Sequence, residues 1–171
     1  MDTIEFIRQL IAGVRRQTDE AMKDLTVEQF NWTPPGTANP ISAIFVHFLN
    51  SEDTFVQTLM QGKPKLWDEG GWAEKTGVKV PPGYSGGWEE VKNMTLALEP
   101  VLAYQQVVRT ATDSYLDKLT QDELDRVVKS ARGERSVATM FIHLVNHTLI
   151  HSGEIGALKG IQAGKGLESK E

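Results

Sequence analysis

The sequence contains no cysteine. That absence excludes disulfides, thiolate metal sites and a cysteine nucleophile, so any bound metal must rest on nitrogen or oxygen ligands. It also lacks a basic block. The 18 Lys and Arg are interleaved with 23 Asp and Glu, and the formal charge is −5. Nothing in that pattern would neutralise a run of phosphates, so no nucleic-acid partner is expected. No stretch approaches the roughly 20 apolar residues of a membrane span. The segment from Met1 to Gln17 is broken by Glu5, Arg8, Arg15 and Arg16 and has no apolar signal core. A cytoplasmic location without membrane contact is therefore the expectation. Walker A and dinucleotide-binding glycine patterns are missing too.

What is present reads as one globular domain spanning 1–171, with 40% hydrophobic and 24% charged residues and no repeat or linker. Ile4, Ile7, Ile11, Val14, Ala21 and Leu25 recur at spacings of three and four, with a gap at Thr18, and predict a first helix with a narrow apolar seam. The stretch from Thr26 to Pro40 holds three prolines and cannot be a continuous helix. A second helix is expected from Asn39-Pro40, with asparagine as cap, through Ile41, Ile44, Phe48, Phe55 and Leu59 to Gly62-Lys63-Pro64. From there to Gly87 the chain lacks periodicity. It reads as a long ordered loop, because Trp67, Trp72 and Tyr84 are costly to leave in water. A short helix is expected over Trp88–Leu98. Another has Pro100 in its first turn and runs to about Leu119. The segment from Leu119 to Glu134 is mixed, with a turn at Arg132-Gly133. A last helix should start at Ser136 and reach about Gly160 with a broad apolar face. The predicted fold is all-α: a four-helix bundle with a long loop between helices 2 and 3.

The four histidines carry the functional signal. His47 lies in the second helix, and His143, His147 and His151 lie in the last at i, i+4 and i+8. Each step of four rotates only about 40°, so the three share a stripe beside the buried face. Residues four apart have Cβ atoms roughly 6 Å apart and can chelate one ion, whereas residues eight apart are separated by about 12 Å along the axis. One adjacent pair should therefore bind, either His143 with His147 or His147 with His151, with His47 as third ligand. The histidine left out is a packing or outer-shell residue. Three neutral imidazoles leave open coordination positions, as in catalytic rather than structural sites. An isolated histidine on such a face would be read as a satisfied core residue; four together favour a metal.

These residues resemble the DinB-like (DinB/YfiT-like) family of metalloenzymes. The likeness rests on Trp32-Thr33-Pro34 ahead of Val46-His47-Phe48-Leu49, and on the run from His143 through His147-Thr148-Leu149-Ile150-His151-Ser152-Gly153-Glu154-Ile155. The resemblance implies a four-helix bundle, usually dimeric, with a metal on His47, His147 and His151. It also implies a small-molecule substrate, and some relatives are transferases or isomerases that use low-molecular-weight thiols. Many relatives have arginine before the glycine where this chain has Ser152.

A metal-dependent enzyme is the leading expectation, a thiol-dependent transferase or a hydrolase. The competing readings are a stress-related dimeric module that binds metal or ligand without turnover, and a structural dimer with vestigial histidines. Zinc or nickel is the expected ion, acting as a Lewis acid or lowering the pKa of a bound water or thiol. Without cysteine in the chain, any thiol must arrive as cosubstrate. Glu52 and Glu154 could each orient an imidazole or act as a base, but a solvated or cap-like role is preferred for both. His147-Thr148-Leu149-Ile150-His151 has the spacing of a zinc-protease helix without its glutamate. Gly83-Tyr84-Ser85-Gly86-Gly87 matches a nucleophile elbow but has no parallel sheet to support it.

Overall fold

The computed structural model describes residues 2–84, 86–130 and 133–164 and is mostly helical. Helix α1 (Thr3–Met22) starts at Asp2, whose carboxylate accepts the Glu5 N–H at 2.8 Å, and it buries Ile7, Ile11 and Val14. Thr18, the gap in the stripe, is also fully buried: its hydroxyl lies 2.7 Å from that of Ser152. The gap is a polar pin between two helices, because a buried hydroxyl must find a partner. A five-residue helix, α2 (Val27–Asn31), follows with a Thr26/Gln29 capping box.

Helix α3 (Ile41–Asp53) is capped by Pro40 and not by Asn39. Pro40 itself has the extended cap conformation (φ −67°, ψ 158°), and no side chain bonds to the helix start. Ile41, Ala43, Ile44, Phe45 and Val46 are essentially inaccessible, as expected of a helix apolar on all sides and packed centrally. The same rod continues as a π-helical segment, Thr54–Met60, and ends at Gly62 with φ 66°.

The expected loop after it contains two short helices, α4 (Leu66–Glu69) and α5 (Trp72–Thr76). Trp67 and Trp72 are buried as anticipated, and their rings stand 4.9 and 5.4 Å from Tyr104. Tyr84 is not; it is fully exposed on a turn closed by Gly83 and Gly86. Ser85 lies outside the described residues. Helix α6 (Trp88–Lys92) is shorter than predicted, and α7 (Leu98–Leu116) carries Pro100 in its first turn as expected.

After α8 (Gln121–Asp125) comes an antiparallel pair not foreseen from the sequence, β1 (Val127–Ser130) with β2 (Gly133–Ser136), in register Val127 with Ser136 and Ser130 with Gly133. Arg132 of the expected turn lies outside the described residues. Ser136 caps α9 (Val137–Ala163), accepting the Thr139 N–H. Helix α9 packs against both α1 and α3, and α3 packs against α7. No helix among the described residues is long and apolar enough to cross a membrane.

Candidate metal centre

The packing of α3 on α9 brings His47, His147 and His151 together. One ring nitrogen from each lies within 4.8 Å of the other two. The ring centroids are 4.5 Å apart for His147 and His151, 5.0 Å for His47 and His147, and 4.9 Å for His47 and His151. All three are half-buried.

Outer hydrogen bonds decide which nitrogens face inward. His47 Nδ1 is 2.9 Å from the Pro82 carbonyl oxygen. A carbonyl has no hydrogen to give, so Nδ1 donates and the lone pair sits on Nε2. His151 Nδ1 is 2.9 Å from Glu154 Oε2, and the same logic leaves the lone pair on its Nε2. A carboxylate or carbonyl behind each imidazole is the usual support of a metal-binding histidine. His47 Nε2 and His147 Nε2 are 3.2 Å apart. Nitrogens sharing a tetrahedral ion at about 2.0–2.1 Å stand about 3.3 Å from each other. Two lone pairs at that distance repel. The contact is therefore stable either with His147 donating a proton or with a cation between the rings. The donor set fits a divalent ion of the imidazole-preferring kind.

Burial, ahead of every other influence, lowers the pKa of His47, and the Pro82 contact and Glu154 only partly oppose this. His47 thus stays neutral, and available as a ligand, to lower pH than an ordinary imidazole. The Trp88 ring covers His47 at a centroid distance of 4.7 Å, and Trp88 Nε1 donates to the Gly83 carbonyl. Pro82, Gly83 and Trp88 therefore form a wall of the site. Gly87 is required there: with φ 85°, an added Cβ would lie 2.6 Å from the Val80 carbonyl oxygen.

The remaining candidates sort cleanly. His143 contributes no nitrogen to the cluster and packs its ring against Phe55 at 5.0 Å. Glu154 is solvated, as preferred from sequence, with its side chain 44% exposed, and it also holds His151. Glu52, by contrast, is not solvated. It is buried and accepts bonds from Thr112 at 2.7 Å and Arg15 at 3.3 Å, joining α3 to α1 and α7. Ser152 points to Thr18 and also bonds the Thr148 carbonyl, so this position serves helix packing. Sequence reasoning missed the roles of Pro82 and Trp88, because contacts 35 or more positions from His47 leave no periodic signal. Replacing Glu154 with alanine should weaken metal affinity about 10–100-fold without changing thermal stability of the metal-free chain. A competition titration with a chromogenic chelator checks this, and unchanged affinity would remove Glu154 from the centre.

Comparison with known proteins gives the same fold. The chain superposes on a crystal structure of a conserved protein from Enterococcus faecalis with a TM-score of 0.81, covering 96% of this chain and 99% of that one at 17% sequence identity. No curated protein matches the sequence. The family model of the DinB superfamily matches residues 10–155, a span that takes in all three clustered histidines. This chain belongs to the DinB superfamily.

Proposed function

We propose that His47, His147 and His151 hold one divalent ion, zinc or nickel, in a catalytic centre for a small-molecule substrate. The observation that carries this reading is the convergence of three imidazole nitrogens with no carboxylate or fourth histidine in the cluster among the described residues. That arrangement keeps coordination positions open, as catalytic sites do and structural sites do not. When bound, the ion supplies Lewis acidity and makes a coordinating water or thiol more acidic.

The protein groups do the positioning. Pro82 and Glu154 fix the outer nitrogens of His47 and His151, and Phe55 braces His147 edge-on with centroids 5.8 Å apart. Trp88 limits water access over His47. With no cysteine available, a thiol reaction needs an external thiol, and the reaction class we favour is transfer to or from a low-molecular-weight thiol, with hydrolysis as the competitor. The test is loss of free thiol when glutathione or coenzyme A is mixed with an aromatic halide electrophile and the zinc- or nickel-loaded chain. Consumption that stops on chelation supports transfer. Ester hydrolysis under the same control supports hydrolysis, and silence in both assays leaves a binding module.

We propose further that the single domain is a four-helix bundle built on α1, α3 with its π segment, α7 and α9, and that it pairs with a second copy. The support for pairing is the outer side of α9, where Ile142, Leu149 and Ile150 are 44–67% exposed. No Lys, Arg, Asp or Glu occurs between Val137 and Gly153, a pattern typical of covered helix faces. Sedimentation of the native chain should give a dimer mass, and a monomer at all micromolar concentrations would refute pairing.

A further inference from the structure

Helix α9 offers two chelating pairs, His143 with His147 and His147 with His151, and the ion can use only one of them. We infer that Phe55 decides between them. It occupies the position on the α3 rod from which the His143/His147 pair would draw a third nitrogen. The inference rests on the three-histidine reading of the centre.

The geometry sets two levels along the α3–α9 interface. At one level the His47 ring lies 5.0 Å from His147 and 4.9 Å from His151. Eight residues further along the same rod, in its π segment, the Phe55 ring lies 5.8 Å from His147 and 5.0 Å from His143. The levels run in opposite directions along the two helices, so Phe55 stands to the lower pair as His47 stands to the upper. A cation at the upper level meets three nitrogens. At the lower level it meets two nitrogens and a hydrocarbon ring with no lone pair to offer, although His143 and His147 are themselves spaced for chelation, with centroids 6.1 Å apart.

The backbone contributes to this selection. Phe55 is the second residue of the π-helical segment Thr54–Met60, where the turn is wider than in the preceding α-helix. Such segments inside α-helices recur at functional sites. Asp53, immediately before it, is pinned by bonds from the Leu66 and Trp67 N–H groups and the Tyr104 hydroxyl, so the direction of the next residues is fixed by tertiary contacts. Phe55 is a specificity-determining residue: it confines the ion to the His47 level and leaves His143 as a packing partner.

The test is transplantation of the third nitrogen. Nickel is the probe of stoichiometry, read as equivalents bound per chain, and a separate cobalt-substituted sample reports the coordination by its d–d absorption. The native chain should bind about one equivalent and His47→Ala close to none. The His47→Ala/Phe55→His double variant should regain about one equivalent, and adding His143→Ala should abolish it again. The His151→Ala/Phe55→His variant repeats the test in a background that leaves Pro82 and Trp88 with their native partner. Folded double variants that remain empty, or whose regained ion is indifferent to His143→Ala, would overturn the role of Phe55. A full equivalent retained by His47→Ala alone would instead contradict the three-histidine centre itself. Phe55→Leu, which keeps an apolar plug, should bind like the native chain.

Discussion

Alanine at His47 or at His151 should reduce divalent-metal affinity by on the order of 10³-fold or more, about 4 kcal/mol. Loss of an outer partner alone costs roughly 10–100-fold, and each of these residues supplies a ligating nitrogen as well as the end of an outer hydrogen bond. The two variants fail for the same reason only if the reading is right, because their surroundings differ. His47 also anchors the Pro82 carbonyl and lies against Trp88, so its loss disturbs a wall of the site. His151 bonds Glu154, which is 44% exposed at its side chain, and removing it leaves a carboxylate that water can satisfy. Competition titration of both variants with zinc and nickel reads the effect. Loss in His47→Ala with retention in His151→Ala would mean that the loop wall, and not imidazole ligation, had been holding the ion.

The largest effect on stability is expected at Asp53. Its side chain is fully buried and accepts three bonds: from the Leu66 N–H at 3.0 Å, the Trp67 N–H at 2.9 Å and the Tyr104 hydroxyl at 2.7 Å. Burial, followed by the charge of Asp53, holds the Tyr104 hydroxyl protonated far above its usual range, so it remains a donor at every working pH. Asp53→Ala leaves these three donors without an acceptor in a dry interior, at about 1–3 kcal/mol each before any relaxation. Water entering the space offsets part of this, and a net loss of about 3–5 kcal/mol is expected. That is a large share of the roughly 5–15 kcal/mol that holds a domain together. At about 2–4 °C per kcal/mol for a chain of this size, the melting temperature should fall by about 10 °C. Asp53→Asn keeps an accepting oxygen and should lose less than half as much. Urea denaturation followed by tryptophan fluorescence measures both, since Trp67 and Trp72 sit at the anchored segment. A loss below about 1 kcal/mol for Asp53→Ala would show that the two tryptophans and Tyr104 hold that segment unaided.

The sequence displayed the parts of this fold that local chemistry controls. Ser136 caps α9 and Pro100 lies in the first turn of α7 where those residue types predict, because cap and proline geometry are properties of a few neighbouring residues. The histidine spacing placed two ligand pairs on one stripe of α9 but could not choose between them. That choice depends on which residue of α3 faces each pair, a matter of how two helices are offset. The π segment was invisible for a related reason. Phe55 and Leu59 continue the apolar spacing of α3, yet both are half-buried while Val56, Gln57 and Met60 take the buried positions. The partners of Asp53 just ahead of it lie 13, 14 and 51 residues away. The strands of β1 and β2 have four residues each, too few for alternation to show. Tyr84 misled because an aromatic side chain was taken as buried by composition alone, whereas it stands fully exposed between Gly83 and Gly86.

The three-histidine centre is tested most directly by elemental analysis of the chain purified without an affinity tag, with added zinc or nickel as a second arm. Close to one divalent ion per chain is expected, bound through three imidazole nitrogens at about 2.0–2.1 Å in the metal's X-ray absorption spectrum. A chain that carries no metal, and whose melting temperature is unmoved by either ion, would contradict the three-histidine centre.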